Sequence, residues 1–217
     1  NKREEIELFR LQEKKDLEDI YISQSKEQKL LDDFSADLFD RTREDEDFLC
    51  VRLGYGDVEA AKKINYKKQE KLEIEDNLQD KPKEIYEEYR YLKDAPVVCD
   101  FKKNNAIGII GNPKYRFSIL KNIVVDICAR HYHSDVKMVF VASKEHKKHI
   151  YWLRMLPEVY NEELGIRNIA CNDESKNIIF EYLYKELTAR EQNKTYENNI
   201  VVVMYDEYGF QNHPISK

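Results

Sequence analysis

Two groups of residues in this 217-residue sequence have the types and spacing to do chemistry. The first is the stretch Ala106-Ile-Gly-Ile-Ile-Gly-Asn-Pro-Lys-Tyr-Arg-Phe-Ser118. An apolar run that enters a glycine-led loop and then a helix is the layout of a phosphate-binding P-loop, G-x-x-x-x-G-K-[ST]. In that loop backbone N–H groups close around the phosphates and the lysine offers a cation. Gly111 stands at the first glycine and Ser118 at the hydroxyl, but Arg116 stands at the second glycine and Phe117 at the lysine. The second group is Asp206-Glu207, delivered by the apolar run Ile200 to Tyr205 about 95 residues after Gly111. In P-loop enzymes the first carboxylate of such a pair holds the Mg²⁺ shell and the second orients or deprotonates water. The carboxyl edge of a doubly wound sheet is also where ligands bind.

The two groups pull in opposite directions. Phe117 carries no charge, and a side chain at Arg116 obstructs the approach of a phosphate. Lys114 and Arg116 would supply charge from other positions, and a helix N-terminus still offers orphan N–H groups. On balance Gly111, Lys114, Arg116, Phe117 and Ser118 read as a vestigial nucleotide pocket, with no catalytic residue, cofactor or metal expected. Were the site active, Asp206 would hold Mg²⁺ beside ATP and Glu207 would handle water. An acidic pair after an apolar strand is weak by itself, because polar residues follow any buried strand.

Nothing else in the chain forms a recognisable reactive set. His131-Tyr-His133 follows a helix, and His146 and His149 lie three apart on another. Zinc would need four convergent ligands at typical spacing, so helix-end and surface histidines are the simpler reading. Cys50, Cys99, Cys128 and Cys171 are scattered, mostly within apolar segments, which favours free thiols in a reducing compartment. The chain is 36% charged with a net charge of -6 and shows no basic stripe, which argues against a nucleic-acid surface. No apolar run approaches the ~20 residues of a membrane span, and the charged run from Asn1 to Lys15 is no signal peptide. The first residue is not Met and the end is abrupt, which reads as a piece of a longer protein.

The elements that must position these groups follow from periodicity. Residues 1 to about 40 are helical, with a thin apolar stripe through Ile6, Phe9, Leu17, Ile20, Leu31, Phe34 and Leu38. The stripe suits either a solvated helix on its own domain or a connecting stalk. Phe48 to Leu53 is a strand closed by Gly54-Tyr-Gly56 as a turn, with a hairpin partner expected over residues 57–66. Residues 67–81 are polar, and Pro82 to Leu92 is a short helix. Pro96 to Phe101 and Ala106 to Gly111 are strands joined by a turn over Lys102 to Asn105. Helices are expected over Arg116–Arg130, Glu145–Leu156 and Glu174–Glu191. Strands are expected over Val136–Val141, Ile166–Cys171 and from Asn199. Alternating buried strands and helices imply an α/β domain with a mostly parallel sheet.

The motifs also resemble, in order, those of a known family. Asp47-Phe-Leu-Cys-Val-Arg-Leu-Gly-Tyr-Gly56 resembles the D-F-L-x-V-R-L-G-x-G signature of the EssC/EccC family, the FtsK/SpoIIIE-type ATPases of type VII (ESX) secretion systems. Tyr91 to Val98, Gly108 to Gly111, Asp135 to Phe140, Trp152 to Pro157 and Asp206-Glu207 follow in the family's order, over about residues 35–217. The resemblance implies a P-loop NTPase-like (RecA/FtsK-like) three-layer sandwich, a degenerate ATPase domain over 41–217. A membrane-proximal helical stalk over 1–40 would precede it. The match ends near the start of the helix after the acidic pair, so the resemblance implies a sheet without its last strands. The implied role is a non-catalytic coupling module at the cytoplasmic face of the membrane, between the membrane anchor and three downstream ATPase domains. Its implied partners are other type VII membrane subunits and those downstream domains, with a hexameric parent left open. The alternatives are an active ATP-binding and ATP-hydrolysing domain with an atypical P-loop, and an FtsK-type DNA translocase module.

Overall fold

The computed structural model describes residues 2–65, 80–194 and 196–216. The polar stretch expected over 67–81 therefore lies almost wholly outside the described residues. Two compact units emerge. The first comprises Asn1–Ser35 and Leu49–Asp126, and the second Ala36–Phe48 and Ile127–Lys217.

In the first unit the charged N-terminal region forms two helices, α1 (Lys2–Ile20) and α2 (Gln24–Asp32), rather than one. The break falls where Ser23 caps α2 and its side chain accepts the N–H of Lys26 at 3.3 Å. No residue of α1 is buried, as its thin apolar stripe predicts. It is held against an antiparallel ribbon of β1 (Cys50–Glu59) and β2 (Tyr91–Asp100) chiefly by polar ties. Arg10 donates through Nε to the carbonyl of Tyr89 and through Nη2 to that of Lys62, both at 2.8 Å. Glu13 accepts the N–H of Ala61 at 2.5 Å. A small apolar cluster of Ala60, Leu92 and Ala95, with Leu17 and Val58 against it, lies beneath.

The ribbon corrects several expectations. Gly54-Tyr-Gly56 is not a turn: β1 runs straight through it, with register shifts at Arg52/Gly54 and Gly56/Val58. Glycine inside a strand pattern marks a bulge as readily as a turn. The partner of β1 is β2, not residues 57–66, and the short helix before it, α3, spans Lys81–Glu88. Ala106 to Gly111 forms no strand, and Ile110 is 98% exposed. The unit ends in the long helix α4 (Pro113–Arg130), whose last turn belongs to the second unit.

The second unit is built on a parallel sheet. β3 (Val136–Val141) lies between the two-residue β6 (Ile169–Ala170) and β7 (Asn199–Met204). Apart from Lys137, β3 is apolar and is buried almost throughout, which is what a central parallel strand requires. The helix α6 (Asp173–Asn193) packs Ile179, Phe180 and Leu183 onto Val139, Val141 and Ala170. Asn172 and Ser175 form a reciprocal capping box at its start. β7 ends the sheet on one side, with Val202 39% and Met204 40% exposed. The helix expected over Glu145–Leu156 is a chain of short turns around the four-residue α5 (Lys147–Ile150). The strand expected over Ile166–Cys171 is split. Its first half, β5 (Ile166–Arg167), pairs antiparallel with β4 (Tyr160–Asn161), and its second half is β6.

Residues 36–48 close this unit over the end of α4. Phe39 donates its N–H to the carbonyl of Ala129 at 2.9 Å, and Arg41 to that of Arg130 at 3.0 Å. Arg130 grips both oxygens of Asp40 through Nε and Nη2, each at 2.5 Å. His131 is fully buried beneath them, edge-on to Phe48 with ring centres 5.1 Å apart. The mixed α/β class, the long N-terminal helix and the parallel sheet agree with expectation. The sheet has three strands among the described residues. Among the described residues none of the four cysteines forms a disulfide.

Candidate functional site

The acidic pair stands where the sequence places it, at the carboxyl edge of the parallel sheet. β3 and β7 run in register to Val141 and Met204, and Tyr205 donates its N–H to the carbonyl of Val141 at 2.9 Å. The chain then brings Asp206 beside the residues that follow β3. The N–H of Ser143 donates to both carboxylate oxygens of Asp206, at 3.1 and 3.0 Å. His146 Nε2 approaches Oδ2 at 3.3 Å. Burial pushes the Tyr205 phenol up to about 12, so this end of β7 is apolar up to the residue before the pair. Glu207 turns to its own neighbours and accepts the N–H of Gln211 at 3.0 Å. Both carboxylates therefore terminate backbone N–H groups at the edge of the second unit.

The glycine-led segment belongs to the first unit. Gly111 has φ +149°, a conformation that L side chains rarely adopt, so glycine is needed there. The next residue ends the loop. Asn112 accepts the N–H of Lys114 on its side chain at 3.0 Å, and its carbonyl accepts those of Tyr115 and Arg116, each at 3.0 Å. This N-cap starts α4 at Pro113 instead of Arg116. Residues 113–118 are thus already helical. Lys114 and Ser118 are exposed, one turn apart on α4, whereas Arg116 and Phe117 are half-buried. Arg116 Nε is buried without a hydrogen-bond partner among the described residues.

The fit to ATP·Mg²⁺ is poor in each group taken alone. A phosphate cradle needs successive backbone N–H groups free to converge, and helix formation from Pro113 turns those of the later positions into the helix. No cation stands at position 117. No reaction step is assigned to either group. Among the described residues no cluster of three or more His, Cys, Asp or Glu side chains is placed to hold a metal, and no helix is long and apolar enough to cross a membrane.

A third feature has no motif behind it. A cavity of about 460 Å³ lies beside the amino-terminal half of β3 and the start of β7, within the second unit. Its lining runs from Arg43 to Ile200, at irregular spacing. The one local signal is Asn161 and Asn168, two amides seven residues apart that flank the β4–β5 hairpin.

These features define a mixed α/β protein with a parallel sheet and an acidic pair at its carboxyl edge. No family model matches the chain. The type VII secretion system protein EssC of Staphylococcus aureus is 26% identical over 155 residues, covering 71% of this chain and 10% of its own length. The ESX secretion system protein YukB of Bacillus subtilis is 22% identical over 192 residues, covering 88% of this chain and 13% of its own. The chain spans about a tenth of the length of these curated relatives. Over these spans the chain is similar to curated type VII secretion proteins of the EssC and YukB kind.

Proposed function

We propose that this chain is a non-catalytic, ATPase-like coupling module of a type VII protein secretion motor. It transmits between a membrane anchor with its partner subunits and the ATPase domains that follow in the same parent protein. The single observation that carries this reading is the start of α4 at Pro113, which leaves positions 113–118 helical with Phe117 in place of the P-loop lysine. Such a segment offers phosphate no loop cradle and no cation at the lysine position. The similarity to EssC and YukB supports the secretion context, and the span of about a tenth of EssC leaves ample length for other domains to do the work. The region over 1–40 serves as the membrane-proximal stalk at the cytoplasmic face, and the many ionic residues of α1 suit that position. Nucleic acid plays no part in this reading, in keeping with the net charge of -6.

One observation favours a second reading, an ATP-binding domain with an atypical loop: Asp206-Glu207 sits at the carboxyl edge of a parallel strand. Titration of the chain with ATP·Mg²⁺ by calorimetry separates the two. The coupling reading expects no saturable heat up to about 1 mM nucleotide. A micromolar, Mg²⁺-dependent dissociation constant would replace it with the second.

A further inference from the structure

The cavity beside β3 and β7 is independent of the reading above, since none of its walls comes from the acidic pair or from the glycine-led segment. Its floor is apolar, formed by Val139, Leu183 and Ile200, with the rings of Tyr160 and Tyr182 among its walls. Set into this floor is one buried amide. Asn168 is 3% exposed, and its backbone is pinned on both sides. Its N–H donates to the carbonyl of Val159 and its carbonyl accepts the N–H of Phe140, both at 2.8 Å. Its Oδ1 accepts from Asn161 Nδ2 at 3.2 Å, and Asn161 Oδ1 in turn accepts the N–H of Leu164 at 3.0 Å. Asn168 lines the cavity, and the bond from Asn161 takes up its Oδ1, which leaves its Nδ2 donor to face the cavity. A donor set in a largely apolar floor favours an occupant that brings a carbonyl to it.

The rim has the opposite chemistry. Glu162 and Glu163 project from the hairpin between β4 and β5, and Glu197 precedes β7. Of the lining cations, Arg43 is committed to Asp135 at 3.2 Å, which leaves Lys137 facing the three carboxylates Glu162, Glu163 and Glu197. The exposed rim is therefore acidic, and the exposed aromatic face of Tyr160 favours a cation beside it, as its contact with Arg167 at 4.7 Å already shows.

We propose that this cavity binds a basic peptide segment, taking an amide side chain of the peptide onto Asn168 Nδ2 and flanking Lys or Arg side chains against Glu162, Glu163 and Glu197. The volume of about 460 Å³ suits one such side chain with its backbone, and the charge complementarity selects the flanks.

The test uses three capped tripeptides titrated into the whole chain by calorimetry: acetyl-Lys-Gln-Lys-amide, acetyl-Glu-Gln-Glu-amide and acetyl-Lys-Leu-Lys-amide. The first should saturate with a dissociation constant on the order of 1 mM. The acidic peptide should bind at least about tenfold more weakly, and the leucine peptide about fivefold more weakly. Glu163→Gln and Glu197→Gln lie on exposed positions and should each weaken the first peptide by about two- to fivefold, with unchanged thermal unfolding. Lack of saturation by the first peptide up to about 10 mM overturns the proposal, as does equal binding of the acidic one. Equal binding of the leucine peptide removes Asn168 from it, and full affinity in both glutamine variants removes the rim.

Discussion

The backbone N–H of Ser143 points between the two oxygens of Asp206, at 3.1 and 3.0 Å. A carboxylate that reads in the sequence as a metal ligand is thereby engaged in joining the ends of two parallel strands. The side chain is 27% exposed, so the bond is partly shielded from water. Asp206→Ala removes the acceptor and leaves the N–H without a partner, and should destabilise the chain by about 1–2 kcal/mol. Asp206→Asn keeps one acceptor oxygen and should cost about half of that. Urea unfolding of the two variants, with and without ATP·Mg²⁺, reads the effect. A midpoint unchanged in the alanine variant contradicts the structural role.

His131 gives the second unit a pH dependence. Burial holds its imidazole at about 4, aided by the neighbouring guanidinium groups of Arg41 and Arg130 and opposed by the carbonyl of Ile127 and by Asp40. In the unfolded chain the group titrates near ~6.5. Between those values the unfolded state binds the extra proton, so stability is full above about 6.5 and is lost as the pH falls towards 4. The loss is on the order of 3 kcal/mol. Denaturant midpoints measured across that window should fall with pH, and His131→Phe should flatten the slope. Parallel slopes in both proteins would remove His131 as the cause.

The clamp between Arg130 and Asp40 should be worth measuring by deletion from one side. The guanidinium is 7% exposed and the carboxylate 38%, so Asp40→Ala strands the more buried partner. A cost of about 1–3 kcal/mol is expected, reduced from the buried-pair range because Asp40 is partly solvated. Asp40→Asn should fall between alanine and the unmodified chain. Chemical denaturation at low and high salt provides the measurement, and an alanine variant as stable as its parent refutes the clamp.

Phe180 tests the contact between α6 and the sheet. It is 2% exposed and meets Phe210 edge-on at 5.6 Å. Phe180→Ala should cost about 3–5 kcal/mol, whereas Phe180→Leu, which refills most of the space, should cost far less. Calorimetric unfolding of both variants distinguishes a packed core from a loose one, because a loose core would tolerate alanine.

How far these features can be read from sequence depends on whether the cause is local. β3, α6 and β7 are legible because a long apolar run or a helical period commits each of them before any partner is known. The carboxyl-edge position of Asp206 follows from the length of β7 alone. Ile107, Ile109 and Ile110 show the opposite case. Their composition suits a strand, yet a strand exists only when a neighbour completes its ladder, and these residues find none among the described residues. Gly54 and Gly56 were misleading because glycine punctuates both turns and bulges, and only the register with β2 decides which. The start of α4 was legible in principle: Asn112 before Pro113 is a cap followed by a first-turn proline, a signal masked by the P-loop frame. The cavity was invisible because its lining, from Arg43 through Asn168 to Ile200, is assembled by tertiary folding.

The edge formed by β7 has a practical side. From Asn199 to Met204 the strand carries no charged side chain, and no proline or bulge interrupts its ladder with β3. Natural sheets usually blunt such borders with lysine or an irregularity. Here two half-exposed apolar residues, Val202 and Met204, are left on it. Among the described residues this border is an open ladder on which like edges could pair while every fold element stays intact. A single lysine at Val202 would act as a gatekeeper there without touching the buried side chain of Val203.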